Sequence, residues 1–527
     1  MSSLLTLDSL SAAAPDGRLL FKDLSLSVGR NQRIGLVGRN GSGKSTLLAI
    51  IEGKAQQLAG HVTAAGRVGT LEQNLPPALS VAEAIGISGI REATARVEAG
   101  NASDEDHALA DWTLDARVAA ALASTGLTGT DLDRDIASFS GGERTRIGLA
   151  RLLIEAPDLI LLDEPTNNLD AEGRAAVGEL LLRWDGGLVV ASHDRQLLEQ
   201  VDRIIELGPV RIRQFGGGWS AFAAAREADR HRAETSLEAA EQGVREAKRV
   251  AQARREKKAR RDRAGKAYAA SGSAPKILMG RQAERAQNSA GRDGILADRQ
   301  TDEAARKLKD AQALVELAAP MTFEIPPSRL PASTELLSIE QASVELAPGR
   351  ILGPWTLDIR GPERVAITGQ NGAGKSSLLR LAMGEIAPAT GSVRRAEGRL
   401  AMVDQHVALL DPSLTVIENY QRLHPHATQE ASHAALARFA FRNRDALRLA
   451  GTLSGGERLR AALSCVLGGP SPPQLLALDE PTNHIDLESI EALEDALSMY
   501  DGAILVVSHD HSFIERIGVT RSLHLHL

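Results

Sequence analysis

The chain has 527 residues, a formal net charge of −7, and 43% apolar against 24% charged residues. This balance is typical of a globular protein with roughly two to four domains, and it excludes a chain that is fibrous or disordered throughout. A single cysteine, Cys465, excludes an internal disulfide and a multi-cysteine metal site. A reducing, cytoplasmic location is therefore the simplest expectation.

No export signal or membrane span is predicted. The N-terminus has no basic region, and Asp8 interrupts its apolar run. No uncharged apolar run approaches the roughly 18 residues of a membrane-spanning helix. Any action at a membrane would therefore require a separate partner protein.

An internal repeat dominates the sequence. GLVGRNGSGKSTLL (35–48) returns as AITGQNGAGKSSLL (366–379), and SFSGGERTRIGLA (138–150) returns as TLSGGERLRAALS (452–464). LILLDEPTNNLD (159–170) returns as LLALDEPTNHID (475–486), and VVASHD (189–194) returns as LVVSHD (505–510). We therefore expect two domains of one type, 1–220 and 319–527, separated by a segment at 221–318.

The first motif in each repeat is a phosphate-binding loop (P-loop). Its glycines, lysine and serine stand between a strand-like run, RIGLV in the first copy, and a helix-like run, TLLAII. Such a loop cradles phosphates with backbone N–H groups, while the lysine neutralises them and the serine ligates Mg²⁺. The plain alternative is a glycine turn before a helix. The expected binding residues are Gly38, Asn40, Gly41, Gly43, Lys44, Ser45 and Thr46, then Gly369, Asn371, Gly372, Gly374, Lys375, Ser376 and Ser377.

Two motifs follow each P-loop in chain order. Gln73 and Gln405 close the short strands VGTLEQ and LAMVDQ, and by themselves they would be surface glutamines. Ser140-Gly-Gly142-Glu and Ser454-Gly-Gly456-Glu precede helix-like runs and suit an anion at a helix N-terminus. The same pattern is also a capping box, and both interpretations can hold together.

An acidic pair ends an apolar strand in each repeat. Asp163 and Asp479 are expected to hold Mg²⁺, and Glu164 and Glu480 to polarise a water as general base. The alternative is a pair of solvated acids at a strand end.

Each acidic pair is followed, 30 residues after its aspartate, by a histidine, His193 or His509. A lone histidine at a strand end is more often structural. The duplicated spacing favours a contact to a terminal phosphate.

The segment between the repeats has a different character. It is rich in Ala, Glu, Lys and Arg, which predicts a long solvated helix, a tip near 270–295 and a returning helix. Residues 245–292 contain 15 Lys or Arg against 4 Asp or Glu, a local balance of +11. Such a basic run is often only a solvated coiled coil, but it also suits phosphate contacts to nucleic acid.

These motifs, in this order in both halves, resemble the ATP-binding cassette (ABC) superfamily. The resemblance implies an α/β fold of two tandem P-loop ATPase cassettes, joined by an α-helical hairpin or coiled-coil linker. It also implies that the cassettes close head to tail on two ATP molecules with Mg²⁺, within a monomer. Ser454 and Gly456 would complete the site of Lys44, and Ser140 and Gly142 that of Lys375. The metal-binding residues would be Ser45, Gln73 and Asp163, then Ser376, Gln405 and Asp479.

The tandem cassettes and charged linker are similar to the ABC-F class, whose members mostly act on ribosomes. The resemblance implies binding near the tRNA exit site, with the linker contacting rRNA and tRNA, and a role in translation. Three alternatives remain open: the ATPase subunit of a membrane transporter, a DNA-repair or chromosome-organising ATPase, and a ribosome protector that gives antibiotic resistance.

Two departures from the family pattern concern the expected nucleotide sites. Asn168 stands in the first LDEPTNxxD segment where histidine is usual. The aromatic residue that would stack on adenine is missing, since alanines occupy 12–14 and Val344 the later equivalent.

Overall fold

The computed structural model describes residues 3–71, 76–167, 169–208, 211–270, 299, 301–312, 315, 323, 325–347, 349–396 and 399–526. The chain divides into two compact units. One unit combines Met1–Phe222 with Met321–Leu527, and the other is Ala223–Pro320. The first unit contains both sequence repeats, which we call the first cassette and the second cassette.

The first cassette is built on two sheets. Its antiparallel sheet has the strand order Leu19–Gly29, Ser3–Ala13, Ala59–Ala64. Its larger sheet has the order Val68–Thr70, Leu159–Asp163, Gly187–Ala191, Arg33–Val37, Arg203–Glu206, Arg213–Gly216. All neighbours in the larger sheet are parallel except the last pair.

The second cassette repeats this plan. Its antiparallel sheet has the order Arg350–Arg360, Glu335–Ala347, Thr390–Arg395. Its parallel sheet has the order Leu400–Val403, Leu475–Asp479, Ala503–Val507, Arg364–Gly369, Arg521–Leu525.

Helices connect and cover the strands. Those of the first cassette are Lys44–Ile51, Val81–Ala84, Ser88–Glu98, Asp104–Leu109, Leu114–Ser124, Gly141–Glu155, Ala171–Arg183 and Arg195–Leu198, with a 3₁₀ turn at Ile136–Ser138. Those of the second are Lys375–Met383, Val416–Leu423, Gln429–Arg438, Gly455–Leu467, Leu487–Met499 and His511–Arg516, with 3₁₀ turns at Asn443–Leu447 and Ala450–Thr452.

The central strands are buried on both faces. Leu475–Asp479 and Ala503–Val507 are buried throughout, as expected for parallel strands covered on both sides. Because the carboxyl ends of parallel strands meet at one edge, the P-loop, the acidic pair and the histidine of each cassette reach the same edge.

The linker contains a helix of 52 residues, Trp219–Ala270. Residues 301–312 are also helical. The sequence predicts a helix and a returning helix at these places. The predicted tip at 270–295 lies almost wholly outside the described residues.

Candidate functional site

Each P-loop closes around its own lysine. Lys44 Nζ donates to the carbonyl oxygen of Gly38 at 2.8 Å, and Lys375 Nζ to that of Gly369 at 2.7 Å. At Gly38, with φ of 149°, a Cβ would lie 2.5 Å from the carbonyl oxygen of Leu207, so the turn requires glycine. The helices that follow begin at the lysines, and their N-termini favour an anion.

The structure brings lysine, glutamate and histidine together in the first cassette. Lys44 Nζ lies 3.0 Å from His193 Nε2, which lies 3.2 Å from Glu164 Oε1. In the second cassette, His509 Nε2 lies 3.5 Å from Glu480 Oε1. Residues that the sequence separates by more than a hundred positions therefore form one cluster at each sheet edge.

Burial shifts the titration of both clusters. Loss of solvation raises the pKa of Glu164 to about 8, although the charge of Lys44 opposes the shift, and raises the pKa of Glu480 to about 7. Burial lowers the pKa of His193 to about 3 and that of His509 to about 4. Perturbed acids and bases gathered at one place are typical of a functional site.

Oxygen donors for a metal lie beside the second P-loop. The hydroxyl of Ser376 hydrogen-bonds the carboxylate of Asp479, whose pKa burial raises. The charges of Asp404 and His406 also act on Asp479, so the turn that contains Gln405 lies close to it. Hydroxyl and carboxylate oxygens are the hard ligands that Mg²⁺ prefers.

The few protein oxygens at this site suit a metal ion that takes its other ligands from water and substrate. Within the described ranges, no group of three or more His, Cys, Asp or Glu could hold a metal ion. Mg²⁺ usually takes one or two protein oxygens and completes its shell with water and substrate phosphates. The predicted metal-binding residue Gln73 lies outside the described residues.

The Ser-Gly-Gly-Glu motifs form capping boxes. The backbone N–H of Ser140 donates to Glu143 Oε2 at 2.7 Å, and that of Glu143 donates to Ser140 Oγ at 3.3 Å. Ser454 and Glu457 repeat the arrangement at 2.9 and 3.4 Å. The capping interpretation therefore holds, and it leaves the helix N-terminus in place for an anion.

Each P-loop also contacts the opposite cassette. The backbone N–H of Asn40 donates to Asp486 Oδ2 at 2.9 Å, and that of Asn371 donates to Asp170 Oδ2 at 3.4 Å. Arg39 Nε donates to Glu488 Oε2 at 2.6 Å. Both aspartates were missing from the predicted site residues, although each ends a repeated LDEPTNxxD segment.

In the second cassette, the glycines of the Ser-Gly-Gly-Glu motif pack beside the segment that contains Asp486. A side chain at Gly456 would meet Ser489 Oγ at 2.5 Å, and one at Gly455 would meet the carbonyl oxygen of His484 at 2.6 Å. That same carbonyl accepts a hydrogen bond from Asn40 Nδ2 at 3.0 Å. The Ser454 motif is thus joined to the Lys44 P-loop through residues 484–489.

A cation of the first cassette acts on the second cluster. The charge of Arg174 lowers the pKa of Glu480 and that of His509, against the raising effect of burial on Glu480. Its guanidinium is held by Asp194 at 3.1 Å. Sequence reasoning missed Arg174, because the second cassette has Ile490 at the matching position.

The described residues contain no helix that is both long enough and apolar enough to cross a membrane.

Comparison with known families and sequences gives a consistent result. The family described as ABC transporter matches residues 21–167 and 352–483. ABC transporter F family member 4 of Arabidopsis thaliana is 32% identical over 97% of this chain and 72% of its own length. The energy-dependent translational throttle protein EttA of Haemophilus influenzae is 32% identical over 97% of this chain and 90% of its own. The tylosin resistance ATP-binding protein TlrC of Streptomyces fradiae is 33% identical over 95% and 94%.

A solved structure supports the architecture. The archaeal ribosome recycling factor aABCE1, in complex with the stalk protein aP1, superposes with a TM-score of 0.59 at 18% identity. The match covers 98% of this chain and 87% of that one. At this identity the likeness shows the fold alone.

Proposed function

Because this chain belongs to the ABC-F class of the ATP-binding cassette superfamily, we propose that it binds ribosomes when ATP closes its cassettes and leaves when ATP is hydrolysed. The chain is an ATPase with two ATP-binding cassettes. One observation carries the proposal: each P-loop asparagine hydrogen-bonds the capping aspartate of the opposite cassette. Both sites are therefore shared, and ATP binding and cassette closure are one event.

We assign the chemistry of each site to its own cluster. Glu164 and Glu480 orient a water and take its proton as the water oxygen bonds to the γ-phosphorus. The bond from that phosphorus to the bridging oxygen breaks, so ADP and phosphate leave. Lys44 and Lys375 neutralise the phosphates, and His193 and His509 hold the γ-phosphoryl group and the water in line.

The remaining motif residues position the nucleotide. Ser45 and Asp163, and in the second site Ser376 and Asp479, are the residues that would hold Mg²⁺, and we assign Gln73 and Gln405 to the same role. Mg²⁺ held there would neutralise negative charge that develops on the phosphates. The N-termini at Ser454 and Ser140 add positive potential from the opposite cassette.

Ribosome binding in the cytoplasm rests on two independent supports. The name of EttA places that protein in translation. The excess of 11 positive charges over residues 245–292 suits contacts to rRNA and tRNA near the tRNA exit site. On this proposal ATP closure presents the linker to RNA, and hydrolysis acts mainly as a timer for release.

A second candidate role, ribosome protection against an antibiotic, is favoured by the likeness to TlrC. It uses the same cassettes and the same ribosomal contact. Susceptibility of a deletion strain to ribosome-targeting drugs distinguishes it from a role in ordinary translation, because only protection predicts a lowered inhibitory concentration.

The main test changes Glu164 and Glu480 together to glutamine. Gln preserves the shape but cannot take the proton, so closed, ATP-bound chains should accumulate on ribosomes. Sucrose-gradient sedimentation with ATP should move the double variant into the ribosomal fractions, while the wild-type chain stays mostly at the top. A double variant that remains at the top with ATP contradicts ribosome binding, and the same variant without ATP is the control.

A further inference from the structure

The two halves of the cassette interface differ at two matching positions. Eight residues after the capping aspartate, the second cassette has Glu494 and the first has Gly178. Two residues after the histidine, the first cassette has Arg195 and the second has His511. At these matching positions, an arginine–glutamate pair can therefore form only on the side of Lys44.

That pair forms, and it crosses between the cassettes. Arg195 Nη1 and Nη2 donate to the two carboxylate oxygens of Glu494 at 2.6 and 3.0 Å. The side chain of Glu494 is 1% exposed and that of Arg195 6% exposed. Arg516 of the second cassette adds a third contact to the same carboxylate at 3.1 Å. Two buried charges are tolerated because each satisfies the other, so separating the cassettes would deprive Arg195 of its carboxylate and leave Glu494 with Arg516 alone.

The same guanidinium also reaches the start of the linker helix. Arg195 Cζ lies 5.3 Å from the ring centroid of Trp219, the residue at which the 52-residue helix begins. Trp219 packs on Phe222, which is buried, with ring centroids 5.5 Å apart. The backbone N–H of Ser220 donates to Glu199 Oε2 at 2.7 Å. Glu199 follows Arg195 by one helical turn, so this turn holds the start of the helix at two points.

We propose that Arg195 is a positioning residue that transmits closure of the Lys44 site to the first turn of the linker helix, and that the Lys375 site, where Gly178 and His511 stand at the matching positions, has no equivalent ion pair within the described residues. Arg195 is two residues from His193, it is ion-paired across the closing interface, and it stacks on the first helical residue. The two ATP sites therefore have unequal roles: both close the cassettes, but only closure at the Lys44 side orders the helix start. This inference rests on the proposed ATP-driven closure.

The experiment measures hydrogen exchange at the helix start. In the full-length chain with Glu164→Gln and Glu480→Gln, ATP stays bound, so exchange of the Ser220 and Phe222 amides can be compared with and without Mg-ATP. We expect Mg-ATP to slow this exchange about tenfold, because local opening becomes rarer when the interface is closed. Adding Arg195→Met or Glu494→Gln should reduce the effect to less than about twofold.

The two variants act from opposite sides of the interface. Glu494→Gln is nearly isosteric, lies in the other cassette and leaves the Arg195–Trp219 contact in place, so it remains informative if Arg195→Met fails to fold. The matched control is His511→Met, at the position equivalent to Arg195. ATP affinity, measured by equilibrium binding, should change less than about threefold in all three variants, which separates positioning from nucleotide binding.

The outcomes separate the two proposals. The inference is supported if Mg-ATP no longer slows hydrogen exchange at the helix start in Glu494→Gln but still slows it fully in His511→Met. A full response in Glu494→Gln and in every folded Arg195 variant overturns it, as does an equal loss in His511→Met. If the parent chain binds ATP but shows no response at the helix start, the inference is overturned, while sucrose-gradient sedimentation of the same parent still decides the proposed ATP-driven closure.

Discussion

At the scale of single residues, the two predicted bases are held in an unusual way. Glu164 and Glu480 have left-handed backbone conformations, with φ of 44° and 46°. Residues other than glycine seldom adopt this conformation. Their backbone N–H groups donate to Ala191 and Val507, on the neighbouring strands, at 2.8 and 2.9 Å. Strain of this kind persists where the surroundings fix a functional direction, here that of a buried carboxylate.

The burial of these carboxylates predicts the pH dependence of hydrolysis. A base works only when ionised, so kcat/KM should rise with pH through the pKa of the free enzyme. The Glu480→Gln variant retains its base only in the Lys44 site, so its kcat/KM should be half-maximal near pH 8. The Glu164→Gln variant retains its base only in the Lys375 site, so its kcat/KM should be half-maximal near pH 7. The histidines stay neutral over this range, because burial lowers their pKa values to about 3 and about 4.

Steady-state rates of the two single variants between about pH 5 and pH 10, which spans about two units on each side of both pKa values, would test this. ATP binding to the double variant over the same range is the control for effects on affinity. Profiles that coincide, or that fall as pH rises, would contradict the assignment of the bases.

At the scale of helices and loops, one aspartate serves two purposes. Asp486 Oδ1 caps the helix Leu487–Met499 by accepting from the Ser489 N–H at 2.9 Å, and its other oxygen accepts from Asn40 of the opposite cassette. Its pKa is lowered, because these hydrogen bonds outweigh the raising effect of burial. Capping therefore fixes in advance the group that joins the second cassette to the first P-loop.

Replacing Asp486 with alanine removes both the cap and the contact to the opposite cassette. Loss of a cap costs about 1 kcal/mol of stability, and loss of a hydrogen bond to a carboxylate costs roughly 1.5–3 kcal/mol of closure free energy. We expect kcat/KM for ATP to fall about tenfold to a hundredfold.

Thr415→Ala is the control. Thr415 caps the helix Val416–Leu423 through its own capping box, and it contacts no P-loop within the described residues. The Thr415→Ala variant should lose a similar free energy of unfolding in a denaturant titration while keeping its ATPase activity. Equal loss of activity in both variants would mean that capping alone matters.

Much of this architecture is encoded locally. The apolar runs RIGLV and LILLD form buried strands, each P-loop lysine begins a helix, and the Ser-x-x-Glu segments form capping boxes, because these features depend on neighbouring residues. The contacts between cassettes could not be found in this way. Asp486 and Asn40 are 446 positions apart, and Arg195 and Glu494 299 apart, so both pairs depend on how two folded cassettes meet. The unequal pair could still have been suspected from the sequence, since Gly178 and His511 break the repeat.

At the scale of the whole molecule, positive charge is concentrated in the linker and negative charge in the rest of the chain. The net charge is −7, yet residues 245–292 have a balance of +11, so the rest of the chain is acidic. Along the described helix, Arg245, Lys248, Lys257 and Arg260 are exposed. Arg245 pairs with Glu241 at 3.5 Å, an exposed ion pair that contributes little and can be exchanged for a phosphate. An acidic body with one basic segment directs RNA to that segment and away from the cassettes.

Reversing Arg245, Lys248, Lys257 and Arg260 to glutamate should therefore weaken the contact with RNA without affecting the cassettes. Each neutralised phosphate releases counterions, so log K of ribosome association should depend less steeply on log salt, by about 0.7–0.9 for each phosphate that the variant no longer neutralises. Association in the Glu164→Gln, Glu480→Gln background should fall at least about tenfold at moderate salt, because repulsion replaces attraction. ATPase activity without ribosomes should stay unchanged.

The matched control reverses four exposed cations of the cassettes, Lys22, Lys54, Arg183 and Arg360, and should weaken association far less. If the linker variant associates like its parent over a range of salt, the basic segment is only a solvated helix, and the ribosomal contact must lie elsewhere.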